Sequence, residues 1–261
     1  MFNLDTIKNL YYVYSPLKSN RELEKNYITT THNEAPSNVS IRTHYNDIIL
    51  KNFLNESVIK AAFIQKYSFQ KSPDSNVTAF EINVGGSRAD LCLLNGKSVV
   101  YEIKTEFDTF NRLESQLLDY RKTFEYIYLI IPKSKLGEAL SYLTPNDGII
   151  IYSQNRHQKI LFKVYKDAII NPLIDSRFQL EQLTKAQLYK LTGEKNGDKN
   201  VLVDNILSSH TADEINKIYI DFIKLKFKKR WTYLYHHRNH INPLDYQWFF
   251  KNNIDSSIIY R

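Results

Sequence analysis

The amino-acid sequence predicts an α/β protein in which a mixed β-sheet is flanked by helices and followed by an α-helical C-terminal module. Three observations carry that expectation. The runs VTAFEINV, RADLCLL and SVVYEIK are separated by short links that hold Gly85-Gly86 and Asn95-Gly96, which is the spacing of consecutive antiparallel strands. A helical stripe and the apolar run YIYLIIP come next, making a strand–helix–strand crossover and with it a parallel pairing. From Asn171 onward the pattern is helical again, and 261 residues suit one such core with a helical appendage.

Taken in order, residues 1–40 open with a short helical stretch and then run through the polar, turn-rich SNRELEKNYITTTHNEAPSNVS. With little to bury, they read as an N-terminal arm. From Ile41 to about Tyr67, apolar residues recur at Ile48, Ile49, Phe53, Ile59, Ala62 and Phe63, the spacing of one amphipathic helix. That helix opens a core over residues 41–170. After the three strands, Leu113, Leu117, Tyr120 and Phe124 form one helical stripe before the buried strand YIYLIIP. A second helix near Lys133–Leu143, the strand GIIIYSQ and a partner strand KILFKVYK complete the core. In the module over residues 171–261, Thr184 and Asp198 are N-cap candidates, and Thr211-Ala-Asp-Glu214 matches a capping box before a long helix.

Composition narrows the function classes. Hydrophobic residues make up 43% and charged residues 24%, the balance of a folded globular protein. Lys and Arg number 35 against 28 Asp and Glu, a formal net charge of +7 that favours polyanionic partners. The single cysteine, Cys92, excludes an intramolecular disulfide, a cysteine zinc site and a cysteine-held iron–sulfur cluster, and fits a reducing cytoplasm. No run approaches the length of an apolar membrane span, so neither export nor membrane insertion is expected.

The chemistry concentrates on Asp90, Glu102 and Lys104. Cleaving a phosphodiester near neutral pH calls for charge neutralisation at the phosphate and a deprotonated water, and a carboxylate-held divalent metal supplies both. Whether Asp90 and Glu102 meet depends on the turn between their strands. A two-residue Asn95-Gly96 turn would set Asp90 opposite Tyr101 and send Glu102 to the other face. A three-residue loop Leu94-Asn95-Gly96, with Gly96 left-handed, sets Leu93 opposite Lys97 and Asp90 opposite Val100, and places Asp90, Glu102 and Lys104 on one face. The second register is the one expected here. Lys104 would then stand beside the metal, to orient the attacking water or offset developing charge.

This arrangement resembles the PD-(D/E)XK nuclease superfamily, in which the acid and an E-x-K motif lie on neighbouring strands. Gln116-Leu-Leu-Asp-Tyr120 matches the Q-x-x-x-Y signature of its RecB-like members, an i, i+4 pair on the crossover helix. The likeness covers residues 41–132. Within it, Glu81, Arg88-Ala89-Asp90, Glu102-Ile103-Lys104, Asp108, Arg112-Leu113, Gln116 and Tyr120 are similar to a subgroup of bacterial and phage nuclease-like proteins. Ala89 stands where the name-giving proline would be. The resemblance implies a restriction-endonuclease-like core and a Mg²⁺-dependent phosphodiesterase, with Mn²⁺ as an alternative ion. It implies catalysis by Asp90, Glu102, Lys104, Gln116 and Tyr120, and metal ligation by Asp90 and Glu102, to which Glu81 on the first strand is a candidate additional ligand. The superfamily also includes members that bind without cutting.

Glu81 either ligates metal or pairs with Arg88. Glu56 is a weaker ligand candidate, since helical glutamates are usually exposed. Asp108 and Arg112 either form an i, i+4 pair or leave Arg112 for a substrate phosphate. Cys92 reads as a small buried hydrophobe rather than a nucleophile.

In the C-terminal module, LTKAQLYKLTGEKNGDKNVLVDNIL reads as two short helices around a glycine loop, either gripping DNA or packing on a neighbour. Downstream, Lys224, Lys226, Lys228, Lys229, Arg230 and Arg238 are interleaved with Phe227, Trp231 and Tyr235. Such a cluster is either a nucleic-acid surface, DNA above all, or a solvated helix face with its aromatics in the core. His236 and His240 lack the context of a zinc site. A double-strand cut would call for a homodimer, and a protein partner in a defence or mobile-element complex is a further expectation for residues 171–261.

Overall fold

In the computed structural model, which describes residues 2–194 and 196–260, the N-terminal residues are helical. Helix α1 (Leu4–Val13) is capped by the Asn3 side chain, and α2 (Asn20–Thr31) begins with a capping box between Ser19 and Glu22. Ile7, Leu10, Leu23 and Tyr27 are buried against Ile41, Tyr45 and Ile49 of α3 (Ile41–Asn52). The polar arm expected over residues 1–40 is therefore a packed helical pair. Its buried stripe is narrow and is surrounded by polar residues that face outward.

The single helix expected from Ile41 to about Tyr67 is two. Asn55 accepts from the Val58 N–H at 3.0 Å and caps a new helix, α4 (Glu56–Phe63), which continues into a wider π-type turn over Ile64–Ser68. An asparagine at this point satisfies the orphan amides of a helix start better than it serves a helix interior. The restart matters because it aims Glu56 and Lys60 at the sheet.

Strands β1 (Val77–Val84), β2 (Ser87–Leu94), β3 (Ser98–Ile103), β4 (Tyr126–Pro132), β5 (Gly148–Gln154) and β6 (Ile160–Lys166) form one sheet in sequence order. β1, β2 and β3 pair antiparallel, β3, β4 and β5 parallel, and β5 with β6 antiparallel. This is the expected mixed sheet. The crossover from β3 to β4 carries α5 (Leu113–Arg121), which buries Leu113, Leu117 and Tyr120. The helix expected near Lys133–Leu143 is only a short turn of 3₁₀ helix followed by α6 (Leu136–Ala139).

The β2–β3 register corrects both turn readings. Leu94 pairs with Ser98 and Leu91 with Tyr101, so the loop is Asn95-Gly96-Lys97, with Gly96 at φ +88° and the Asn95 N–H donating to the Lys97 carbonyl at 3.1 Å. The pairing is shifted by two residues from the expected one. An even shift keeps every side chain on its face, so Asp90 and Glu102 still share one.

After residue 171 come α7 (Ser176–Glu181), α8 (Lys185–Thr192), α9 (Lys199–Ser209), α10 (Ala212–His237), α11 (Tyr246–Asn252) and α12 (Ser256–Ile259). Thr184, Asp198 and Thr211 are the N-caps of α8, α9 and α10, as expected. α10 packs along β1, and its Trp231 stacks on Phe69 with ring centroids 5.3 Å apart. The C-terminal helices thus share one hydrophobic core with the sheet. The chain ends are tied together by buried Asp245, which accepts from Tyr14 Oη at 2.7 Å and from Tyr260 Oη at 2.5 Å. Among the described residues, no helix is long and apolar enough to cross a membrane.

Candidate functional site

Three acids stand side by side across β1, β2 and β3. Phe80 pairs with Leu91 and Ile82 with Ala89, which sets Glu81 opposite Asp90. Continuing the β2–β3 ladder one step past Leu91 and Tyr101 sets Asp90 beside Glu102. Glu81 has φ +55° in mid-strand, a left-handed conformation that costs a non-glycine residue about 1–2 kcal/mol. β3 parts from β2 here: the Ile103 N–H donates to Asp90 Oδ2 at 2.7 Å, and the Lys104 N–H donates to the Ile130 carbonyl of β4.

Asp90 and Lys104 are each 8% exposed, and Glu102 is 2% exposed, so their charges need partners. Lys104 Nζ donates to Glu102 Oε1 at 2.7 Å and to Gln116 Oε1 at 2.9 Å. Tyr120 Oη donates to Glu102 Oε2 at 2.7 Å. The i, i+4 pair on α5 thus holds both members of the E-x-K motif. Burial, and then the Glu102 carboxylate, push the Tyr120 hydroxyl above its ordinary pKa, so it remains a donor.

Lys60 neutralises the other acids. Its Nζ lies 3.0 Å from Asp90 Oδ1 and contacts Glu56 and Glu81. Burial alone would lower its pKa, but Asp90, Glu56 and Glu81 outweigh it and hold the ammonium above its usual value. Burial raises Asp90 well above the ordinary carboxylate range; Lys60 opposes that rise, and Glu102 and Glu56 add to it. Burial would also raise Glu56, but Lys60 overcomes it and holds Glu56 low. Arg88 Nε reaches Glu81 Oε2 at 2.5 Å, so of the two readings for Glu81 the pairing with Arg88 is present.

The carboxylates brought together differ from the expected ligand set by one member, Glu56 in place of Glu102. The carboxylates that converge, with one oxygen of each within 4.8 Å of the others, belong to Glu56, Glu81 and Asp90. Both Glu102 oxygens are instead engaged by Lys104 and Tyr120. Lys60 escaped sequence reasoning, and its only signal was a lysine inside the apolar run VIKAAF, four residues after Glu56. Asp108 does not pair with Arg112; it accepts from the Thr105 N–H and Oγ1, both at 2.7 Å. Cys92 is buried, and burial raises its thiol pKa, as fits a core hydrophobe.

Asp90, Glu102, Lys104, Gln116, Glu56, Arg88 and Arg112 line one cleft of about 420 Å³. Of the residues expected to touch nucleic acid, Arg112 is in that lining, whereas Lys224, Lys226, Lys228, Lys229 and Arg230 are not. Phe227 and Trp231, 6% and 0% exposed, are core residues rather than stacking surface. Lys228 pairs with Asp74 at 3.2 Å. Lys226, Lys229 and Arg230 are exposed.

Fold and cleft together define an α/β protein with an acid–lysine centre where two antiparallel strands part. The chain belongs to the Bacteriophage P4 protein cII family, whose match runs over residues 50–248 and takes in every residue of that centre. Protein cII of Enterobacteria phage P4 is 25% identical over 144 residues, 54% of this chain and 54% of that protein, so the match spans about half the relative's length. A solved structure, the SPO1766 protein of unknown function from Silicibacter pomeroyi, is 17% identical with a TM-score of 0.31 over 48% of this chain and 85% of its own. That likeness is too slight to bear on fold or chemistry.

Proposed function

We propose that this protein is a divalent-metal-dependent nuclease that hydrolyses phosphodiester bonds of nucleic acid, DNA first among them, in a reducing cytoplasm. The observation that carries the reading is the single cleft lined by Asp90, Glu102, Lys104 and Gln116, with Tyr120 bonded to Glu102 from beneath. These are the acid, the E-x-K pair and the Q-x-x-x-Y pair of the PD-(D/E)XK resemblance.

The donor set suits a hard cation. Glu56, Glu81 and Asp90 offer only oxygen ligands, which is what Mg²⁺ or Mn²⁺ takes, and the cradle already surrounds a cation in the Lys60 ammonium. These three residues would hold the ion. When bound, such an ion lowers the pKa of a coordinated water and neutralises phosphate charge. Lys104, held between Glu102 and Gln116, aims its ammonium at the cleft and offsets charge on the phosphate. Exposed Arg112 and Arg88 bind neighbouring phosphate oxygens. Tyr120 fixes Glu102 and so the lysine.

The test is cleavage of linear, circular and single-stranded DNA with Mg²⁺ or Mn²⁺, with EDTA and Asp90→Ala as controls. Metal-dependent cutting that falls at least about 100-fold in Asp90→Ala is expected. Wild type that cuts none of the substrates under either metal overturns the reading.

One observation favours a second reading, a nucleic-acid-binding or regulatory protein that keeps the fold without cutting. The four carboxylates Glu56, Glu81, Asp90 and Glu102 already meet three protein cations, Lys60, Arg88 and Lys104, leaving little charge for a metal to neutralise. Nucleic-acid binding that EDTA leaves unchanged, without cleavage, would support it. A homodimer or a further protein partner is compatible with either reading.

A further inference from the structure

Beside the acid–lysine cleft lies a second cleft of about 380 Å³, which shares Glu56 and Asp108 with the first and is otherwise lined by Lys8, Tyr11, Tyr12, Phe53, Asn55, Ser57, Thr105 and Phe107. Its rim carries aromatic rings in water: Tyr12 is 74% exposed and Phe107 50%. Lys8 Nζ lies 5.2 Å from the centroid of the Phe107 ring. On its floor, Asn55 is 8% exposed, and its Oδ1 is spent on capping α4. Its Nδ2 is buried without a hydrogen-bond partner among the described residues. An unpartnered buried amide donor costs about 1–3 kcal/mol and calls for an acceptor, either an ordered water or an oxygen of a ligand in the cleft.

We propose that this second cleft is a base-stacking subsite that takes unpaired nucleotides of single-stranded nucleic acid leading to or from the phosphodiester in the first cleft. The proposal rests on the nuclease reading for its neighbour. Partly exposed aromatic side chains with a lysine over one ring, beside a phosphate site, match the way proteins hold single strands, with bases on rings and the backbone on nearby cations. A duplex does not offer a free base face, so the subsite selects single strands or frayed ends. Tyr12 and Phe107 supply the rings, Lys8 faces a phosphate, and Asn55 Nδ2 donates to a base carbonyl. Tyr12 and Lys8 come from α1, which precedes the family match, while Phe107 follows the E-x-K motif by three residues.

Binding without turnover is the test. Fluorescein-labelled oligo(dT), oligo(rU) and a blunt DNA hairpin are titrated with the full chain in EDTA, comparing wild type, the double variant Tyr12→Ala/Phe107→Leu and Asn55→Ser. Serine keeps the helix cap, and leucine keeps the apolar packing of Phe107 on Phe53. Oligo(dT) affinity is expected to fall about tenfold or more in the double variant and severalfold in Asn55→Ser, with hairpin affinity unchanged. Equal losses on hairpin and oligo(dT), or no loss on either, overturn the subsite, as does wild type that binds no single strand. The oligo(rU) arm reads whether the sugar matters. The two readings separate cleanly. Selective loss in a protein that no metal makes cut keeps the subsite and removes the nuclease. Cutting with unchanged variant affinity does the reverse.

Discussion

Replacing Lys60 with methionine keeps the length of the side chain and its packing while removing the charge that three carboxylates share. Lys60 is 2% exposed, and it stands 3.0 Å from Asp90 and in contact with Glu81, whose side chain is 6% exposed. Removing one partner of a buried ion pair costs about 3–5 kcal/mol, because the other charge is left uncompensated. Glu56, with its side chain 46% exposed, can turn to water and adds little. For a chain of this size the loss corresponds to a drop in Tm of about 6–20 °C. The size of the deficit depends on pH in a definite direction. Asp90 already has a raised pKa, and without Lys60 it rises further, so the folded variant holds a proton more tightly than the unfolded chain. Its deficit is therefore largest in mild alkali and shrinks as the pH falls. A divalent ion that takes the place of the ammonium should restore part of the stability, about 1.4 kcal/mol at ten times its Kd. Thermal unfolding of wild type and Lys60→Met, at two pH values and with or without Mn²⁺, measures all three effects. A variant as stable as wild type in mild alkali, within about 0.5 kcal/mol, refutes the view that Lys60 holds the acid cluster together.

Two further perturbations probe the frame around the site. Burial pushes Asp245 up to about 6, against the opposing hydrogen bonds from Tyr260 and Tyr14. The folded state thus favours its proton, and the stability this group contributes is full in acid and lost as the pH rises through about 6. Asp245→Asn should flatten that slope, which is at most about 1.4 kcal/mol per pH unit, and chemical unfolding across the range would detect an unchanged slope if the assignment is wrong. A Cβ at Gly148 would collide with the Tyr128 ring and lie 2.7 Å from the Ala168 backbone nitrogen. Gly148→Ala should therefore cost about 1–3 kcal/mol of unfolding free energy, and an unaltered denaturant midpoint would show that β4 and β5 have slack.

Much of the sheet was legible because strands advertise themselves by a period of two and by their turns. That Asp90 and Glu102 share a face also followed from sequence, although the pairing expected was off by two residues. Either three-residue loop around Gly96 preserves parity, and only a two-residue turn breaks it. Which three residues form the loop rests on the hydrogen bond between Asn95 and Lys97, and the sequence does not favour it. The short helix at the start of the chain was legible, but α2 escaped because Leu23 and Tyr27 are the buried residues of an otherwise polar helix, too few to set a period. Lys60 escaped because a lone helical lysine is by default solvated, and its burial depends on acids brought from two distant strands. On α10, Phe227 and Trp231 lie four residues apart. That spacing suits a core stripe and a stacking platform alike, and packing of Phe227 on Phe250 and of Trp231 on Phe69 decides for the core.

The most direct measurement compares initial cleavage rates of wild type, Asp90→Ala and Lys104→Ala on the same single-stranded and duplex DNA with Mg²⁺ and Mn²⁺, alongside binding of the same strands in EDTA. Metal-dependent cutting by wild type, reduced at least about 100-fold in both variants with binding retained, is the predicted result. Undiminished cutting by either variant, or binding by wild type with no cutting under either metal, would contradict a nuclease centred on Asp90, Glu102 and Lys104.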